Sequence, residues 1–241
     1  MTKLEGKAAV VTGASSGIGF AIAKQLAMEG VHVCLVARNM EKLKERENEI
    51  KKVAKGKIVI VSADVSKRTD VESAVQEAVE KIGVIDFYVN NAGQMLNGIV
   101  QEGRVDDWEQ MIDVNIKGVL YGIHAVLPSM KEQAFGHIIN IASVSGLEVT
   151  KNSTVYSATK FAVRTISMGL EKELARTGVR VTNISPGMVQ TDLTNDYLEK
   201  DENAHQRTRI PLQPNDIAQA VVYAISQPAY VNVNEVTVRP V

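Results

Sequence analysis

The chain is poor in cysteine: Cys34 is the single thiol among 241 residues. An internal disulfide is therefore excluded. Cys34 sits in an apolar run, which marks it as a buried, inert thiol rather than a nucleophile. The four histidines, His32, His124, His137 and His205, show no metal-ligand spacing, so no metal site is expected. Excess charge is lacking as well. The formal net charge of −1 creates no field that would draw in nucleic acid or a membrane surface. No apolar run approaches the ~18–20 residues of a membrane span. The opening Met1-Thr2-Lys3-Leu4-Glu5-Gly6-Lys7 has no apolar segment of the kind a secretory signal carries. No repeat, low-complexity tract or linker is present. A cytoplasmic setting, without nucleic-acid or membrane partners, is the expectation these absences leave.

What is present is a steady alternation of strands and helices. Ala8–Thr12, Val31–Ala37, Lys57–Ala63, Ile85–Val89, Gly136–Ala142, Val179–Ser185 and Glu235–Val238 read as strands. Gly17–Gly30, Val71–Ile82, Trp108–Gln133, Thr154–Thr177 and Asp216–Ser226 read as helices, and the charged Glu41–Lys57 as a solvated helix face. Most strands are continuously apolar, as expected when both faces are buried. The prediction is one α/β domain: a Rossmann-type, doubly wound, mostly parallel sheet of about seven strands with helices on both faces. Residues 1–135 would form a cofactor half and 136–241 a catalytic and substrate half. The polar stretch Met188–Pro214 is a candidate lid. Trp108 and the eight methionines are read as packing residues.

At the first strand–helix turn stands Thr12-Gly13-Ala14-Ser15-Ser16-Gly17-Ile18-Gly19. Glycines there let the backbone approach a pyrophosphate, and the helix N-terminus offers N–H groups and partial positive charge. The spacing differs from the common G-x-G-x-x-G fingerprint. The second strand ends at Ala37-Arg38-Asn39. A carboxylate at this point favours NAD, whereas an arginine accommodates the 2′-phosphate of NADP. No acid stands at the strand end, so Arg38 points to NADP(H). Asp64-Val65, at the end of the third strand, falls where an adenine could rest.

Tyr156 and Lys160 share one helix face. A phenol titrates near ~10 and is a weak base at neutral pH. A lysine charge at ~4 Å, with an effective dielectric of ~20, is worth about 4 kcal/mol. That would lower the phenol by up to about three pH units before desolvation offsets part of it. Ser143, at a strand end, can donate a hydrogen bond to a developing alkoxide.

These segments resemble the short-chain dehydrogenase/reductase family over nearly the whole chain. Thr12–Gly19, Asn90-Asn91-Ala92-Gly93, Ser143, Tyr156 with Lys160, and Pro186-Gly187 occur in that family's order and spacing. The resemblance implies that Tyr156 is the acid/base and that Lys160 lowers its pKa and holds the nicotinamide ribose. It implies that Ser143 binds the carbonyl, and that Asn115 completes a tetrad by bending its helix around a water. Asn91, Ala92 and Gly93 would lie along the cofactor, with Pro186, Gly187, Val189 and Thr191 toward the nicotinamide. Substrate would meet Gln94, Ser145 and Met188 besides Ser143 and Tyr156. Two readings of Glu148, which follows Ser143 closely, stay open: a residue facing the substrate and a solvated loop acid. The ending Val231–Val241 is similar to a subgroup of NADP-dependent reductases of small hydroxy acids, aldehydes or ketones. A small-molecule substrate and a homotetramer follow from the same resemblance. Two alternatives stay open: a 3-oxoacyl-carrier-protein reductase, with Lys200, Arg207 and Arg209 as a basic patch, and a non-catalytic NADP-binding sensor.

Overall fold

The computed structural model describes residues 4–191 and 210–241. Its strands are β1 (Ala8–Thr12), β2 (His32–Ala37), β3 (Ile58–Ser62), β4 (Phe87–Asn90), β5 (Gly136–Ile141), β6 (Val179–Pro186) and β7 (Glu235–Val238). They form one seven-stranded sheet in the order β3-β2-β1-β4-β5-β6-β7. Every pairing is parallel. The helices are α1 (Gly17–Met28), α2 (Met40–Lys51), α3 (Arg68–Ile82), α4 (Val105–Ile112), α5 (Gly118–Glu132), α6 (Thr154–Glu173) and α7 (Pro214–Ile225). The expected Rossmann-type doubly wound α/β architecture is present. Among the described residues no helix is long and apolar enough to cross a membrane.

The period-two alternation of strand side chains feeds two cores. On one face Val11, Val33, Leu35, Val89, Ile139 and Ile184 pack with Ile22 and Leu26 of α1 and Ile217 and Val221 of α7. On the other, Val10, Cys34, Val36, Tyr88, Ile138 and Val181 pack with Ala74 and Ala78 of α3, Ile123 of α5 and Val163 of α6. Cys34 is buried, and burial pushes its thiol up to about 12. A thiol held protonated is a weak nucleophile.

The single helix expected over Trp108–Gln133 is three pieces. Between α4 and α5 lies a π-helical turn, Asp113–Lys117. Such a turn inserts one wide loop into the hydrogen-bond ladder and re-aims the side chains on it. Asn115 lies in this turn and is buried. Pro128 falls inside α5. The other boundaries differ from the sequence expectation by a few residues: α3 begins at Arg68, and α6 ends at Glu173.

Candidate active site

The glycine turn joins the end of β1 to α1. Thr12 organises it: its Oγ1 donates to the carbonyl of Val89 at 3.2 Å and accepts from the N–H groups of Asn91 and Ala92 at 3.0 and 3.1 Å. The Asn91 amide donates back to the Thr12 carbonyl at 2.9 Å. The ends of β1 and β4 are thereby locked together. Gly13 has φ +65, and a Cβ there would stand 2.9 Å from the Ala92 Cα. At Gly19 a Cβ would run into the Asn91 amide and the Gly13 carbonyl. Glycine is required at both positions. Ser16 is the N-cap of α1, where no side-chain cap bond and no first-turn acid occur among the described residues. A helix start of this kind suits an anion. Thr191 meets the same turn: its Cγ2 lies 3.2 Å from where a Gly17 Cβ would be. A cation arrives from α2: Arg46 Nε donates to the Ser15 carbonyl at 3.2 Å, while its Nη1 is engaged by Glu49 at 3.2 Å.

Beyond β2, Arg38 shares a cavity of about 270 Å³ with Asp64, Asp106, Glu109 and Asp113. The premise that no acid lies near Arg38 therefore requires correction. The strand end carries none, but folding brings α4, the π turn and the β3 loop to the same cavity. Burial raises Asp64, while hydrogen bonds from Ser66 and the charges of Arg38 and Lys67 outweigh it and hold the carboxyl below its ordinary value. Val65 packs against Val71 and Val114 beneath. The Asn39 side chain caps α2, accepting from the Lys42 N–H at 3.0 Å, so its polar end is engaged in the helix start.

The reacting groups converge where β5 ends. Lys160 Nζ, on a residue only 6% exposed, donates to the Ile141 carbonyl at 2.9 Å. It lies 5.8 Å from the centroid of the Tyr156 ring. Ser143 begins a short 3-10 turn, Val144–Gly146, and its Oγ accepts from the Ser145 N–H at 3.1 Å. Burial pushes the Tyr156 phenol up to about 12, and a hydrogen bond with Ser143 opposes that rise. Burial pulls Lys160 down to about 8. The expectation that lysine would draw the phenol down toward neutrality is thus not met in the protein alone. Desolvation penalises both charged forms, and the ammonium points to a carbonyl rather than to a phenolate. The phenol keeps its proton at neutral pH, a state suited to a proton donor.

Asn115 joins this cluster to the β4 loop. Its Oδ1 accepts from the Gln94 N–H at 2.8 Å, and its Nδ2 donates to the Gln94 carbonyl at 2.9 Å and to Thr159 Oγ1 at 3.0 Å. Thr159 in turn donates to the Tyr156 carbonyl at 2.7 Å. A Cβ on Gly93 would stand 3.4 Å from Asn115 Oδ1 and 3.6 Å from Lys160 Nζ. The structure thus brings Gly93, Gln94, Asn115, Ser143, Tyr156 and Lys160 together. Ser145 lies in the Ser143 turn, and Met188 pairs through its backbone with Leu212 at 2.9 Å. Val189 forms an isolated parallel bridge with Leu212. Gly187, after Pro186 at the end of β6, donates its N–H to the Val238 carbonyl at 2.7 Å. Glu148 is exposed and accepts from Arg239 at 3.0 Å. Most of the expected lid, residues 192–209, lies outside the described residues, as do Lys200, Arg207 and Arg209. Among the described residues no group of His, Cys, Asp and Glu could hold a metal ion.

Sequence reasoning named Thr12 only as part of the glycine motif, without a role, and missed Arg46 and Thr159. Their residue types are ordinary, and only their partners reveal them. The π turn also left no mark in the sequence beyond Asn115 itself.

Residues 7–202 match the family model described as short chain dehydrogenase. The chain is 54% identical, over 241 residues and the full length of both, to an uncharacterized oxidoreductase of Staphylococcus aureus strain MRSA252. Its fold is similar to the closed form of a serine dehydrogenase complexed with NADP+, at TM-score 0.88 and 36% identity over 96% of this chain and 94% of that one. It is also similar to an alcohol dehydrogenase from the archaeon Thermococcus sibiricus complexed with 5-hydroxy-NADP, at TM-score 0.84 and 30% identity over 98% and 97% of the two chains. The chain belongs to the short-chain dehydrogenase family and is an oxidoreductase of that family.

Proposed function

We propose that this protein is an NADP(H)-dependent oxidoreductase that interconverts a carbonyl, ketone or aldehyde, and an alcohol on a small or medium-sized substrate. The observation that carries this reading is the convergence of a buried phenol, an ammonium and a hydroxyl at the end of β5, beside a glycine cradle that any Cβ would fill. The cradle fits a dinucleotide. Gly13, Ser15, Ser16, Gly17, Ile18 and Gly19 would face its phosphates, Asn91, Ala92 and Gly93 its middle, and Val189 and Thr191 its nicotinamide end. Bound there, the nicotinamide supplies or accepts the hydride.

The chain's own groups handle the proton and the oxygen. Ser143 holds the carbonyl oxygen by a hydrogen bond that tightens as negative charge develops. Tyr156, kept protonated by burial, gives its proton to that oxygen. Lys160 then stabilises the phenolate, the moment at which its charge is worth most. Asn115 fixes the segment bearing Gly93 and Gln94 against α6. In oxidation the same groups act in reverse.

NADP is favoured over NAD because Arg38 follows β2 directly and Arg46 reaches the cradle, and because the NADP+ complex of the related serine dehydrogenase shares this fold. The carboxylates beside Arg38 weigh against that preference and leave it to the two arginines. Exposed Leu120 on α5 and exposed Phe161 and Met168 on α6 support burial against a second copy, in a homotetramer. A purely sensory role has no need of a phenol, ammonium and hydroxyl set in a relay. The test is NADPH oxidation with a panel of simple ketones and aldehydes: turnover on at least one is expected, and none with any of them would overturn the reading.

A further inference from the structure

Arg239 stands beyond the groups that carry the chemistry, yet the fold carries it to them. It follows β7 directly. The Gly187 N–H donates to the Val238 carbonyl at 2.7 Å, and a Cβ on Gly187 would lie 3.4 Å from the Arg239 Cα. The base of Arg239 is thereby fixed beside Pro186-Gly187, at the end of β6. Its guanidinium crosses to the neighbouring strand end, where Nη1 donates to Glu148 Oε1 at 3.0 Å. Glu148 is itself anchored on the turn that Ser143 begins, through its N–H to the Val144 carbonyl at 3.0 Å. A cation thus bridges the segments that follow β5 and β6, bound to a carboxylate on the turn that Ser143 begins. In open parallel sheets, ligands bind beyond these strand ends.

The pair is built to be exchanged. Its side chains are 48% and 54% exposed, and ion pairs in such settings contribute little to stability. One nitrogen is engaged by Glu148, whereas a guanidinium presents a fork of donors that matches a carboxylate. Arg104 is already held by Asp107 and by the Asn97 carbonyl.

We propose that Arg239 receives a carboxylate on the substrate, displacing Glu148, so that the site takes oxo acids and hydroxy acids in preference to neutral ketones and alcohols. This rests on the reductase reading above. Arg239 is a specificity-determining residue and takes no part in proton transfer. Glu148 occupies it between turnovers and keeps stray anions from the mouth.

The experiment compares NADPH-dependent reduction of acetoacetate with that of methyl acetoacetate, which offers the same ketone without the charge. In the unaltered enzyme kcat/KM should favour the acid by about ten- to a hundred-fold, the range of one charge-assisted bond. Arg239→Met should erase that preference through the KM of the acid and leave the ester within about twofold, a spread too small to register a lost hydrogen bond. Arg239→Lys should restore part of it. Glu148→Gln should preserve the preference and lower the acid's KM. Lys151→Gln removes an exposed cation of the neighbouring loop and should leave the ratio unchanged. The inference is overturned if the unaltered enzyme prefers the ester, if Arg239→Met slows both substrates alike, or if Lys151→Gln does as much. Reduction of the ester without preference for the acid defeats this inference alone; reduction of neither, while another ketone or aldehyde of the panel is reduced, also defeats this inference alone, and failure of the whole panel defeats the reductase reading with it.

Discussion

Lys160 Nζ donates to the carbonyl of Ile141 at 2.9 Å. That bond pins α6 to the end of β5 just before Ser143, so one contact sets the phenol-bearing helix against the carbonyl-binding hydroxyl. It also takes an ammonium out of water.

The cost of that burial should be visible in stability. Lys160 titrates at about 8 in the folded chain against an ordinary 10.5. Between those values the unfolded chain holds a proton that the folded chain has shed. Stability should therefore rise with pH through this window and fall as pH drops through it. Cys34, raised to about 12 from 9.0, works oppositely above its ordinary value, which leaves about pH 8 to 9 as the clean interval. Urea midpoints should climb across it, and Lys160→Met should remove that climb while abolishing turnover. A slope identical in the variant would contradict the burial of a titrating ammonium.

His137 should give a second, acid-side dependence. Thr182 donates to the Val233 carbonyl at 2.7 Å, so it accepts from His137 Nε2 across 2.7 Å. That fixes the neutral tautomer and leaves Nδ1 without a partner among the described residues. Burial, and then the charge of Arg180 opposite it in the sheet, hold the imidazole well below 6.5. The unfolded chain takes up a proton first as pH falls, so stability should drop below about pH 6.5 by up to roughly 1.4 kcal/mol per pH unit. His137→Leu should lose the bond to Thr182 at every pH and, in urea titrations from pH 7 to 5, show a shallower decline. An equal decline would show that His137 is not the group.

Cofactor choice rests on Arg38 against its carboxylate neighbours. The unaltered enzyme should use NADPH better than NADH. Arg38→Asp should cut the ratio of their kcat/KM values by about ten- to a hundred-fold, the worth of one charge-assisted contact to phosphate. Equal or better efficiency with NADH before mutation would contradict the assignment.

Most of the sheet was legible because its inner strands are buried on both faces and so read as largely apolar runs: Ala8–Thr12 stands out without help, whereas Val179–Pro186 carries Arg180, Thr182 and Asn183. The tetrad residues were legible through their order along the chain. The π turn was foreshadowed only by the resemblance, which bends the helix at Asn115; the residue pattern alone leaves Asp113–Lys117 looking like ordinary helix. Thr159 was silent for a related reason: its role is defined by Asn115 and Tyr156, which meet it only after folding. Three of the carboxylates beside Arg38, Asp106, Glu109 and Asp113, come from α4 and the π turn, far along the chain. The depth to which Tyr156 is buried was not legible, because pairwise Coulomb arithmetic carries no burial; in the protein alone that burial holds the phenol above its ordinary value.

The central claim is that Tyr156 moves the proton, and replacing its phenol by a phenyl tests it most directly. Tyr156→Phe keeps the ring that fills the site and leaves Gly13 and Gly19 untouched, so NADPH should titrate with nearly unaltered affinity. Steady-state reduction of whichever ketone the unaltered enzyme accepts should fall by about 100-fold or more, the scale of general acid catalysis by a positioned side chain. A Tyr156→Phe protein that binds NADPH normally and retains most of its kcat would contradict the account.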